Sequence, residues 1–250
     1  MKVIKDLAMN RTGIRMASHR PYQALVSENE ISSKTSEETK SHLTLLRNAY
    51  IQEAEQVGLG SIPSPTSIKG LYAAGAQKFK GKEPEIFLDK LGERLAFERT
   101  GIRLYDALIG KLETSRTHAA VLPKGTLHYL NKFRNEEAKH FELIRQCMEN
   151  VGADPTALTP SADCNGVASQ GLLQVVTDPR TSFAQSVQAI LIAELTDLDG
   201  WALLLHLASA MEFKEMAQAF QNALTEEQKH LDHIRSLYEH LVLTEAKVVD

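Results

Sequence analysis

Residues 136–140 read Glu-Glu-Ala-Lys-His, and residues 226–230 read Glu-Glu-Gln-Lys-His. Each stretch sets a Glu three residues before a His: Glu137 before His140, and Glu227 before His230. Residues three apart share one face of a helix, so the carboxylate and the imidazole can grip one metal ion together. Of the nine His in the chain, only these two have a Glu at that offset.

Each stretch has an upstream partner. Glu98 lies in Leu95-Ala96-Phe97-Glu98-Arg99-Thr100, and Glu194 in Leu191-Ile192-Ala193-Glu194-Leu195-Thr196. Both are followed by Thr two residues later and by an aromatic seven residues later, Tyr105 and Trp201. An ionised carboxylate on an apolar stripe is very costly to bury alone. Protonation, a buried Arg or a metal would each relieve that cost. Recurrence of the same setting at the other Glu residues makes a metal the economical answer. The chain thus repeats a two-helix unit, a lone Glu and then Glu-x-x-His. Two units supply four Glu and two His, the inward ligand set of di-metal carboxylate bundles.

In these residues the chain resembles the ferritin-like di-iron carboxylate superfamily, most of all its rubrerythrin and bacterioferritin branches, over about residues 83–243. The resemblance implies an all-α fold, an up-down-down-up four-helix bundle with a long crossover, here carrying an extra N-terminal helical segment. It implies Glu98, Glu137, His140, Glu194, Glu227 and His230 as ligands and catalytic residues. Two iron ions are the expected cofactor, with manganese as the alternative. Asp197 lies three residues after Glu194, where rubrerythrin-like proteins place an extra carboxylate. A metal ligand, a group orienting a ligating His and a solvated position all remain open for it.

The activity implied is a di-iron oxidoreductase of rubrerythrin or ferroxidase type. It would react with dioxygen or peroxide and draw on an electron donor that the sequence does not name. A manganese catalase-like enzyme, a di-iron monooxygenase (as among the quinone and tRNA hydroxylases) and an iron-storage protein are the alternatives. The first eighty residues depart from the compact ferritin chain, which weighs against a storage cage. A homodimer is left open.

The bulk properties set the outer limits. A net charge of −4 over 250 residues argues against a nucleic-acid partner. The two Cys, Cys147 and Cys164, form no Cys-x-x-Cys pair, so neither a disulfide scaffold nor a rubredoxin-type site is expected. Without a membrane-length apolar run or a signal-like start, a cytoplasmic protein with no membrane partner is expected.

Two regions are expected, residues 1–80 and residues 81–245. The first holds an irregular arm at 1–35, a helix at 36–58 capped by Ser36 with a stripe of Leu43, Leu46, Tyr50 and Val57, a linker at 60–70 and a short helix at 68–79. In the second, periodicity and stop signals place helices at 84–114, 126–151, 182–209 and 214–243. Thr126 is the expected cap of the second, Gly152 its stop, and Thr181 or Ser182 the cap of the third. The first stripe runs Ile86, Leu91, Leu95, Glu98, Ile102, Tyr105 and Ile109. Residues 152–180 join the halves, with a short helix expected at 166–177. Glu136 is read as exposed or as a second-layer group, Cys147 as a buried inert thiol, and His233 as exposed or core in preference to a second-layer group.

Overall fold

The computed structural model describes residues 44–52, 54, 60–62, 81–114 and 122–248, and among them there are helices and connections but no strand. The chain divides into two compact units, Met1–Ile62 and Pro63–Asp250. In the first unit, residues 44–52 are helical, with Leu46 half-buried and Tyr50 exposed. The expected arm at 1–35, Ser36, Leu43, Val57, residues 63–70 of the linker and the short helix at 68–79 lie outside the described residues.

Among its described residues the second unit holds five helices: α1 (Pro84–Thr114), α2 (Thr126–Asn150), α3 (Pro160–Thr177), α4 (Phe183–Ala210) and α5 (Lys214–Glu245). Cross-contacts give their directions. Arg134 of α2 pairs with Asp106 of α1 at 2.8 Å, and Glu137 passes beside Gly101, so these helices run antiparallel. Arg94 meets Asp197 and Tyr105 meets Glu194, so α1 and α4 are antiparallel too. His140 reaches Glu226 while Glu136 reaches His230, which makes α2 and α5 antiparallel. It follows that α2 and α4 point the same way, and α3 spans the length between them.

Local chemistry explains the boundaries. Ser182 caps α4 in a full capping box with Gln185. The expected Thr126 cap is corrected: Gly125, at φ 89°, occupies the cap of α2, and the Thr126 hydroxyl donates to the Pro123 carbonyl instead. The crossover helix begins six residues earlier than expected. Thr159 caps it, Pro160 takes the first turn where its missing N–H costs nothing, and Asp89 of α1 accepts from the Ser161 amide at 2.9 Å. The end of α4 carries no Gly because Glu212 itself adopts φ 66°. The Phe213 amide then closes on the Ala208 carbonyl, an arrangement usually built with Gly.

The inner stripe of α1 is mostly as expected, with two corrections. Ile86 is 49% exposed and Ile102 is only partly buried. The buried face instead takes in Phe87, Leu88, Arg94, Phe97 and Leu104. One apolar cluster runs from Leu104, Leu108 and Leu112 through Phe133, Val187 and Ile190 to Ile234 and Leu237. Each such side chain contributes about 1.5–3 kcal/mol on burial. This cluster fixes the register that holds polar residues in the same interior. Cys147 is buried, and burial pushes its thiol up to about 11, in keeping with an inert group.

Candidate metal centre

Four helices deliver carboxylates and imidazoles to one interior point. Glu98 comes from α1, Glu137 and His140 from α2, Glu194 and Asp197 from α4, and Glu227 and His230 from α5. All seven are between 0% and 3% exposed. Their ligand atoms form overlapping groups, each within 4.8 Å: Glu137, Glu194, Glu227 and His230; Glu98, His140 and Glu227; and Glu98, Glu137, Asp197 and Glu227. Glu227 belongs to all three groups and Glu137 to two. Glu227 offers one oxygen to each imidazole, at 2.6 Å from His140 Nδ1 and 3.2 Å from His230 Nδ1.

The donor set fits a pair of cations. Both oxygens of Glu137 and Glu98 Oε2 and Glu194 Oε2 are buried with no well-formed hydrogen bond, and Glu98 Oε1, Asp197 Oδ1, both Glu227 oxygens and both His Nδ1 atoms meet only ion-pair contacts within the cluster. Native interiors seldom leave such atoms unsatisfied, and here the orphans converge. Charge agrees with this. Five carboxylates less the Arg94 guanidinium leave four negative charges, the charge that two divalent ions cancel.

A second layer orients the first. The Nε2 of His140 lies 2.9 Å from Glu226, and the Nε2 of His230 lies 2.9 Å from Glu136. With Nε2–H donating outward, each Nδ1 lone pair faces the cluster. Each Glu-Glu-x-x-His stretch therefore contributes to the cluster twice. Its second Glu and its His face inward, while its first Glu reaches across to hold the other stretch's His. Glu136, read as exposed or second-layer, is only 8% exposed. Glu226 was missed, although its identical place in the repeat was the available signal.

Arg94 and Tyr105 complete the surroundings. Arg94 places Nη1 2.9 Å from Asp197 Oδ1 and Nε 3.0 Å from Glu98 Oε1. The Tyr105 hydroxyl donates to Glu194 Oε1 at 2.6 Å. Two glycines clear the space. A Cβ on Gly101 would stand 2.3 Å from Glu137 Oε2, and one on Gly200 would stand 2.0 Å from Arg94 Nη1. Arg94, Gly101 and Gly200 gave no sequence signal, because each acts only through a neighbouring helix. Trp201 stacks edge-on to His140 at 5.3 Å, and half-buried His233 lies 4.3 Å from the Tyr129 ring.

Without cations the centre holds protons instead. Burial, then the charge of Asp197, raises Glu98 well above the usual carboxylate range. Burial and the charge of Glu227 do the same to Glu137 and Glu194. Burial also lifts Asp197, to about 7 against the pull of Arg94. Glu227 goes the other way: burial would raise it, but bonds from His140 and His230 bring it to about 2. Burial would lower both imidazoles, yet Glu227 and its neighbours raise each to about 9.

The chain was compared with protein-family models, curated proteins and solved structures, and none of them matches it. Among the described residues no helix is long and apolar enough to cross a membrane.

Proposed function

We propose that the second unit is a ferritin-like four-helix bundle, α1, α2, α4 and α5 running up-down-down-up with α3 in the crossover. Its centre is a di-iron carboxylate oxidoreductase site for dioxygen or peroxide. The observation that carries this reading is the pair of overlapping donor groups that share Glu137 and Glu227. Sharing of two carboxylates suits two ions side by side rather than one. Mixed carboxylate and imidazole ligation favours iron or manganese over thiolate-seeking metals.

When bound, two ferrous ions supply two electrons to dioxygen or peroxide and leave open positions for it. The chain's own residues do the rest. Glu137 and Glu227 would be shared between two bound ions, and Glu98 with His140 and Glu194 with His230 would complete the donors to each. Glu226 and Glu136 fix the two rings, and the Tyr105 hydroxyl fixes the Glu194 carboxylate. Phe133 against His230 and Trp201 against His140, both rings fully buried, exclude bulk water around the donors.

The test is stopped-flow absorbance of anaerobically Fe(II)-loaded protein mixed with dioxygen or peroxide. Rapid growth of ferric absorbance, lost in Glu98→Ala, is expected. Bound Fe(II) that reacts with neither oxidant faster than free Fe(II) would refute the oxidoreductase reading. Release of dioxygen from peroxide by manganese-loaded protein would replace it with a catalase.

A further inference from the structure

A cleft of about 40 Å³ opens between α1, α3 and α4. Lys90, Glu93 and Arg94 of α1, Asn165 of α3, and Thr196 and Gly200 of α4 line it, with Leu203 and Leu204 along one wall. Thr196 and Leu203 are exposed, while Arg94 and Leu204 are 4% and 1% exposed, so the cleft leads from solvent to the guanidinium. That guanidinium contacts Glu98 and Asp197 of the donor cluster. The inner end of the cleft is thus one side chain away from the centre.

Two polar groups face this cleft. Arg94 directs Nε at Glu98 and Nη1 at Asp197, which leaves Nη2 for an acceptor in the cleft. The Asn165 Oδ1 is buried and unpartnered. One is a donor and the other an acceptor. A buried polar atom left open in this way marks the place of a small polar molecule. The volume holds about two or three water-sized centres, so a larger organic molecule does not fit.

We propose that this cleft admits and binds hydrogen peroxide on its way to the centre. Arg94 Nη2 donates to one peroxide oxygen, and Asn165 Oδ1 accepts an O–H from the molecule. Dioxygen, which cannot donate a hydrogen bond, leaves Asn165 unsatisfied. The balance of charge in the cleft suits a neutral ligand. Lys90 is paired with Glu93 at 2.6 Å, and the Arg94 charge is met by Asp197 and Glu98. The inference rests on the di-metal reading for its chemical purpose and assigns the crossover helix a part in selecting the oxidant.

Two measurements test it. The first is independent of metal: the Asn165 side-chain amide and the Arg94 Nε–H signals of metal-free protein are followed by NMR as peroxide is added. Saturable shifts are expected, and the Arg94 Nε–H shift should be absent in Asn165→Leu. Signals that stay unmoved in the wild type mean that the cleft holds water only, and the proposal is overturned. The second is the rate at which peroxide oxidises Fe(II)-loaded protein. Thr196→Phe, which blocks the cleft from its exposed side, and Asn165→Leu should each slow it at least tenfold. A wild-type rate in Thr196→Phe overturns the route. Failure of the wild type to bind iron defeats the di-metal reading alone, since the NMR titration still decides the cleft.

Discussion

Glu98 and His140 stand beside a charged pair, Arg94 and Asp197, and the Trp201 ring, whereas Glu194 and His230 stand against the Tyr105 and Phe133 rings with no such pair. On the first side the guanidinium sits between two carboxylates and borders a cleft. On the second, the Tyr105 hydroxyl holds Glu194, and the Phe133 ring covers His230 at 4.3 Å. The outer carboxylates differ as well: the Glu226 side chain on His140 is 42% exposed, while Glu136 on His230 is 11% exposed and braced by Lys132. The duplicated ligand pattern therefore does not make two equivalent sites. The first borders a buried ion pair and a cleft, and the second is packed against Tyr105 and Phe133.

The largest effect should come from removing what the halves share. In Glu137→Ala/Glu227→Ala both positions lose their common carboxylates. Saturating Fe(II) or Mn(II) should raise the wild-type melting temperature by about 10 °C. The double variant should show no rise, and a scan with and without metal checks this. Next come the outer carboxylates. Glu136→Gln and Glu226→Gln should each weaken metal affinity, by about 10–100-fold at the enclosed His230 and less at the exposed His140. Chelator competition gives both values, and equal losses would erase the distinction between the halves.

Tyr105→Phe sharpens the comparison from inside the second half. It leaves Glu194 Oε1 buried without its donor, at a cost of about 1–3 kcal/mol. A fall of roughly 5 °C in the metal-bound melting temperature is expected by calorimetry.

Smallest is the effect of pH on metal-free protein. His140 and His230 rise from 6.5 to about 9, so their contribution is full below 6.5 and is lost as pH climbs through 9. Glu98, Glu137 and Glu194 are also raised, so ionising them weakens the same fold as pH increases. Bound divalent ions take the place of those protons. The gap between metal-bound and metal-free melting temperatures should therefore widen by a few degrees from pH 6.5 to pH 9. A gap that narrows would contradict the assigned directions.

Some of this was legible in the sequence because it is periodic. The Glu-x-x-His spacing places both groups on one helix face, and the stop signal at Gly152 and the cap at Ser182 lie at the ends of the helices they bound. The convergence of Glu98, Glu137, His140, Glu194, Glu227 and His230 needed only those faces to meet. What stayed hidden acts between helices. Gly101 shows its reason only where Glu137 passes it, and Gly200 only where Arg94 does. Arg94 itself reads as one more basic residue until Asp197 stands 2.9 Å away. The start of α3 was obscured because its anchor, Asp89, lies 72 residues before Ser161.

The most direct test of the account is the metal content of the wild-type chain. After anaerobic loading and removal of free metal, native mass spectrometry and elemental analysis should give about two iron ions per chain. Glu98→Ala and Glu194→Ala should each retain about one, lost from opposite halves. A folded wild-type chain that holds no iron, or a single ion unaffected by either substitution, would contradict a centre built on two shared carboxylates.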